Sequence, residues 1–234
     1  STSRSRSICW NAIARLTVGV GKSSLTVNLA IAFQQMGLEV GVVDADIYGF
    51  SVPGMLGIHQ RPVTVDKMIV PPVAHGLKTI SIGYFMEEGG AVLWRGPMLH
   101  RTLQQFLADV WWGDLDVLLI DMPPGTGDVA LSLSQTVPVA GAIVVTTPQQ
   151  VSLADTRRAV AMYKKLNIPT LGIVENMSYY ACPTCPPEAD LFGHGGGEGL
   201  ARDMSVPFLG RLPIYQPIRE GGDTGVPIVV SEPE

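Results

Sequence analysis

Apolar residues along this chain cluster in short runs separated by amphipathic stretches. The runs are Ala12–Leu16, Val40–Val43, Leu77–Ile82, Leu115–Ile120, Ala142–Thr146 and Leu171–Val174, with Val206–Gly210 as a weaker last one. The continuous stretches among them, such as Val40–Val43 and Val117–Ile120, mark strands covered on both faces; a half-exposed strand would alternate. Between them the spacing changes to that of a helix. Ser23–Met36 puts Leu25, Leu29, Ala32, Phe33 and Met36 on one face, and Gly37 follows as a stop. Leu99–Val110 turns Leu103, Phe106, Leu107 and Val110 inward, and a third helix is read near Ser152–Leu166. Trp111 and Trp112 are expected to cap the Leu99–Val110 helix. Residues 48–76 are rich in Pro and Gly and read as loose. Strands alternating with helices predict an α/β fold, a mostly parallel sheet with helices on both faces. The expectation is one domain over residues 1–234, with residues 1–8 as a disordered or tag-like tail.

Composition narrows the function classes. Hydrophobic residues make up 46% and charged residues 16%, which suits a large buried sheet and not a disordered chain. The net charge of −5 carries no electrostatic footprint for nucleic acid, and no apolar run reaches the length of a membrane span. Neither nucleic acid nor membrane is therefore expected as a partner. Three cysteines make no disulfide framework. The cytoplasm is the expected compartment. Arg4 and Arg6 among serines also allow a transit-peptide stub, which makes an organelle matrix the alternative.

The chemistry sits where the runs end. Gly19-Val20-Gly21-Lys22-Ser23-Ser24 is a glycine turn opening onto a helix, the form of a phosphate-binding loop. Glycines let backbone N–H groups face inward, and the helix N-terminus adds partial positive charge. Lys22 would reach the β/γ-phosphates of ATP and Ser23 would ligate Mg²⁺. The strict pattern wants a glycine where Leu16 stands, so the loop alone is also readable as a chance turn. Asp44 and Asp46 follow the Val40–Val43 run and Asp121 follows Leu115–Ile120, where a carboxylate can hold Mg²⁺ directly or through water. A strand-ending aspartate is commonplace singly; three beside one phosphate loop are not. Asp121-Met-Pro-Pro-Gly-Thr-Gly-Asp128 then gives a stiff start and a flexible turn able to sense a γ-phosphate.

Four motifs make the chain resemble the Mrp/ApbC family of iron–sulfur cluster carrier ATPases, within the deviant Walker A group of P-loop NTPases that includes MinD, ParA and nitrogenase iron protein. They are Asp44-Ala-Asp-Ile-Tyr-Gly-Phe-Ser-Val-Pro53, Trp94-Arg-Gly-Pro-Met98, Asp121–Asp128 and Glu175-Asn-Met-Ser178. Phe192-Gly-His-Gly-Gly-Gly197 and Ile218-Arg-Glu-Gly-Gly222 also fit. The resemblance implies roles. Gly19, Val20, Gly21, Lys22, Ser23 and Ser24 would hold phosphate, and Asn176 the adenine edge. Ser23, Asp44 and Asp121 would support Mg²⁺, and Asp46 would position the attacking water. Lys22, Asp46 and Asp121 are thus the expected catalytic set.

One departure stands out. The family has Ser-Gly-Lys-Gly-Gly-Val-Gly-Lys, and here Leu16-Thr17-Val18 replaces its first Gly-Lys-Gly. In the family that lysine reaches the partner's phosphates across a nucleotide-sandwich dimer. Thr17 cannot supply the charge, so weaker nucleotide binding, slower hydrolysis or both are expected.

Cys182-Pro-Thr-Cys185 offers two thiolates, half of what a cubane cluster or structural zinc needs. The pair is open to several readings: ligands shared across a two-fold axis, a zinc site completed by His194, a redox dithiol, or plain surface thiols. The resemblance implies the first, a [4Fe–4S] cluster bridging a homodimer and passed on to recipient apoproteins. Cys9 reads as a small core residue or an incidental thiol, and His59, His75 and His100 as surface or core histidines. A scaffold that binds nucleotide without turnover remains the alternative. A MinD/ParA-type positioning role leaves the cysteines unexplained. The family commonly continues past the position of Glu234 into a final helix, and the small N-terminal domain that some relatives carry is not expected here.

Overall fold

The computed structural model describes residues 12–17, 21–46, 49–85, 96–123, 139–181 and 190–232. The strands are β1 (Ala12–Thr17), β2 (Val40–Asp44), β3 (Val63–Val65), β4 (Met68–Val70), β5 (Val73–Ala74), β6 (Leu77–Ser81), β7 (Val117–Asp121), β8 (Gly141–Thr146), β9 (Thr170–Glu175) and β10 (Phe208–Arg211). The helices are α1 (Lys22–Gln35), α2 (Val52–Met55), α3 (Gly96–Ala108), α4 (Gln150–Lys165), α5 (Gly196–Met204), α6 (Gln216–Thr224) and α7 (Ile228–Ser231).

Among the described residues the main sheet runs β10-β9-β8-β1-β7-β2-β6-β5. Neighbours are parallel except the edge pair β5 and β6. The alternating pleat sends side chains of the central strands into two cores. Leu118 and Ile120 of β7 join Val43, Leu103, Phe106 and Leu107 on the α3 side. Val117 and Leu119 join Val40, Val42, Val27 and Ile31 on the α1 side. A third core sets Val144 and Ile173 against Leu153, Tyr163 and Leu200 of α4 and α5. Continuous apolar runs are what a sheet covered on both faces requires.

Most predicted elements are present, with boundary shifts. α1 starts at Lys22 and ends at Gln35; Gly37, at φ +87°, turns the chain as expected. α3 begins at Gly96, before Leu99, and its Val110 lies beyond the helix, bridged to Ile69. Trp112 does the capping foreseen for the tryptophans: its indole N–H donates to the Phe106 carbonyl at 2.8 Å. Trp111 is exposed. The weak run Val206–Gly210 forms its strand two residues later, as β10. The stretch read as loose holds α2 and the antiparallel β3–β4 hairpin, whose Val63 and Val65 face outward and so left no apolar run.

Candidate functional site

The carboxyl ends of β2, β7 and β9 meet the N-terminus of α1, where parallel α/β sheets place ligands. Gly21 caps α1 at φ +87°, ψ +16°, and its carbonyl accepts the Leu25 N–H at 3.0 Å. A side chain there would be strained by the backbone and would collide with the Asn176 amide nitrogen. Only glycine lets Asn176 lie over this turn. Lys22, the first helical residue, is buried, and its charge acts on Asp121. Ser23 donates its hydroxyl to Asp121 Oδ2. Ser24 lines a small crevice with Met55 and Ile218. Gly19 and Val20 lie outside the described residues, as do Cys182 and Cys185.

Two carboxylates are buried side by side. Asp44 and Asp121 are register partners on adjacent parallel strands, 0% and 1% exposed. Burial, then the charge of Asp121, pushes the Asp44 carboxyl up to about 7. Burial raises Asp121 to about 6, against the Ser23 hydroxyl and the Lys22 charge, which hold it down. Asp44 Oδ1 accepts the Asp46 N–H at 3.2 Å, and Oδ2 accepts the Ser81 hydroxyl at 3.0 Å and the Val52 N–H at 3.4 Å. Those donors come from its own turn, from β6 and from the start of α2. Asp44 therefore ties the segment that follows β2 to the sheet. Asp46 sits at the rim, half-buried, with its Oδ2 close to Gly49.

Asp121 differs: among the described residues its buried Oδ1 has no hydrogen-bond partner. A buried carboxylate oxygen left open beside a serine hydroxyl is a hard-oxygen donor set, which suits Mg²⁺ and not a soft metal. Ser23 and Asp121 would hold such an ion, with Asp44 behind them. Of the predicted site residues, the structure thus gathers Gly21, Lys22, Ser23, Asp44, Asp46, Asp121 and Asn176 at one sheet edge.

Three contributors were given no role from the sequence, although Glu175 opens one of the quoted motifs. Ser81 braces Asp44; it lies inside the run Leu77–Ile82 and only the strand boundary shows that it ends β6. Tyr84 follows in the 3₁₀ turn Ile82–Phe85, with a buried hydroxyl that has no partner among the described residues and a phenol pushed up to about 12 by burial and the nearby Asp44 charge. Glu175 ends β9 with 0% exposure. His194, weighed as a zinc ligand, pairs through Nδ1 with Asp190 at 2.8 Å on the surface. The described residues bring together no group of three or more His, Cys, Asp or Glu able to hold a metal.

A glycine turn at a helix N-terminus, a serine–aspartate contact and a parallel sheet ordered around them define a P-loop NTPase fold. The chain belongs to the ParA family described as NUBPL iron-transfer P-loop NTPases, whose model matches residues 12–234. It is 51% identical over 222 residues to a Synechocystis iron-sulfur cluster carrier protein, covering 92% of this chain and 63% of that protein. It is 49% identical over 218 residues to the Escherichia coli K12 protein of the same name, covering 92% and 59%. The chain thus spans about three-fifths of the length of these relatives. Among solved structures it superposes on the nucleotide-binding protein in complex with ADP from Archaeoglobus fulgidus. That match has a TM-score of 0.82 and 33% identity, covering 96% of this chain and 89% of the other. On Pyrococcus furiosus MinD the TM-score is 0.69 with 25% identity, covering 96% and 92%. No helix among the described residues is long and apolar enough to cross a membrane.

Proposed function

We propose that this chain is a nucleotide-switched iron–sulfur cluster carrier. It would bind ATP at the Gly21 turn, hold a [4Fe–4S] cluster as cargo between Cys182 and Cys185 of two copies, and release it to apoproteins. The observation that carries this reading is the conjunction of the Ser23–Asp121 contact and open Asp121 oxygen with a Cys-x-x-Cys pair that nucleotide binding does not need. Relatives at about 50% identity that are named cluster carriers support it.

The residues divide the work. The Gly21 turn and Lys22 would take the phosphates, with Asn176 over the turn in reach of the base. When bound, Mg²⁺ would neutralise phosphate charge between Ser23 and Asp121. Asp46 would orient the water that attacks the γ-phosphorus as the bond to the ADP oxygen breaks. Asp44 would report the result, because the segment it ties, from Asp46 to Val52, is the one that Asp46 belongs to.

Thr17 favours slow turnover. It ends β1, in register with Val144, where the resemblance would put a lysine at the loop. Switching by binding, with hydrolysis as a slow reset, suits that arrangement.

Anaerobic reconstitution tests the reading, comparing the intact chain with Cys182→Ala by visible absorption, iron and sulfide content, and mass in solution. A brown dimer holding roughly one four-iron cluster per pair of chains, lost in the variant, is expected. A colourless protein, or a monomer that keeps zinc, would overturn it.

A further inference from the structure

Glu175 is a buried carboxylate that the nucleotide chemistry leaves unused. It accepts the Ser178 hydroxyl on Oε1 at 2.6 Å, the Gly195 N–H on Oε1 at 3.3 Å and the Gly197 N–H on Oε2 at 2.5 Å. Two of these donors are amides at the start of α5, where the helix dipole favours negative charge. The fit is close. A Cβ on Gly197 would stand 3.0 Å from Glu175 Oε2 and 3.2 Å from Thr146 Cγ2.

What Glu175 joins gives the arrangement its meaning. On one side the next residue, Asn176, lies over Gly21 at the nucleotide turn, with its own N–H held by the Thr146 carbonyl at 2.7 Å. On the other side the chain leaves Ser178 along residues 212–214. Ser178 N–H donates to Leu212 at 3.0 Å, Ile214 N–H to Tyr179 at 2.7 Å and Ala181 N–H to Ile214 at 3.1 Å. Residues 182–189, which carry Cys182 and Cys185 in sequence, come next. The chain is then described again from Asp190, and within a few residues it reaches the two amides that Glu175 grips. The residues that lead into the cysteine segment and those that lead out of it are therefore both fastened at the end of β9.

We propose that Glu175 is a positioning residue that transmits nucleotide occupancy at the Gly21 turn to the segment bearing the cysteine pair. It does so by holding the Asn176 turn and the N-terminus of α5 as one unit. The inference rests on the nucleotide and cysteine roles proposed above. A ligand that moves Asn176 moves the residue bonded to it, and the carboxylate passes that movement to Gly195 and Gly197. The charge is needed as well as the shape. A glutamine would turn an NH₂ group toward one of the N–H donors and leave a buried amide unpaired.

The test uses the full chain, reduced and free of cluster. Alkylation of Cys182 and Cys185 by iodoacetamide is followed by peptide mass spectrometry, with and without Mg·ADP or Mg·ATPγS, alongside calorimetric nucleotide affinity. In the unmodified chain nucleotide is expected to change both labelling rates several-fold. In Glu175→Gln that ratio falls toward one while affinity stays near its original value. Ser178→Ala, which keeps the charge and removes one donor, lies between the two and serves if the first variant fails to fold. A purely structural role would lower the unfolding temperature and leave the nucleotide-dependent ratio intact. That result overturns the inference, and so does an unmodified chain that binds nucleotide with no change in labelling. A chain that binds no nucleotide refutes the proposed function itself.

Discussion

Replacing Asp44 by asparagine should stabilise the ligand-free protein, and the gain should grow with pH. In the native state the Asp44 carboxyl is raised from 3.8 to about 7, chiefly by burial and then by the charge of Asp121. A carboxylate raised in this way favours folding below its unfolded value, where both states are protonated. That advantage is lost as pH climbs through the native value, because the unfolded chain ionises first. Three pKa units amount to about 4 kcal/mol of cost once Asp44 is ionised, with roughly 2 kcal/mol of it accruing between about pH 5.5 and about pH 7. Asparagine avoids the charge but gives up one acceptor. The Ser81 hydroxyl, already accepting the Gly83 N–H at 3.1 Å, or the Asp46 N–H then loses its partner, at about 1–2 kcal/mol. The expected balance for Asp44→Asn is near zero at about pH 5.5 and a gain of about 2 kcal/mol at about pH 8. Urea unfolding of both proteins in chelator-treated, nucleotide-free buffer measures it. Ser81→Ala supplies the opposite sign, since it strips a donor from the same buried charge and should destabilise most at high pH. An Asp44→Asn gain that is equal at the two pH values, or a loss at pH 8, would refute the assignment of Asp44 as a buried, strained carboxylate.

Gly21→Ala should lower stability by about 1–2 kcal/mol for the left-handed backbone alone, seen as a drop of a few degrees in thermal unfolding. It should cost adenine nucleotide affinity more steeply, because the new methyl displaces Asn176. Ser23→Ala should weaken Mg²⁺-dependent nucleotide binding by about 10–100-fold while leaving any Mg²⁺-independent binding intact, read by titration with and without the ion. In the unmodified chain Mg²⁺-dependent affinity should fall below about pH 6, since Asp121 then takes a proton in place of the ion. Thr17→Lys should raise ATP turnover well above that of the parent chain, and equal rates would remove Thr17 as the cause of slow hydrolysis.

The sheet was legible because its physics is local. A strand buried on both faces is apolar along most of its length, and β2, β7, β8 and β9 each show such a run before the polar residue that ends the strand. The elements that escaped lack the signal for identifiable reasons. α5 and α6 are 9 residues each and carry glycines at Gly196, Gly197, Gly199, Gly221 and Gly222, which dilute a helical period and resemble turns. They form because tertiary partners hold them. Glu175 caps the amides of α5, and the tight approach of Gly221 to the Val226 carbonyl leaves no room for a side chain. The β3–β4 hairpin exposes Val63 and Val65 and is anchored at Ile69, which packs on the α3-side core and bonds through its backbone to residues 109–111.

The site was legible as a set of residue types, and only register assigned their parts. From sequence, Asp44 and Asp121 are equivalent: each ends an apolar run, and each is a plausible magnesium carboxylate. The sheet pairs them directly, yet surrounds them differently. β6 lies on the outer side of β2 and brings Ser81 against Asp44, while α1 brings Ser23 against Asp121. Asp44 is left with its oxygens filled by donors from its own fold, and Asp121 with one oxygen that no described residue fills. The same step separates Glu175 from both, since its donors are the amides of a helix that sequence spacing did not reveal. Strand-ending carboxylates thus mark where a ligand can be served. Which of them faces the ligand and which holds the scaffold depends on the neighbour that topology places beside each, a fact carried by residues far off in the chain.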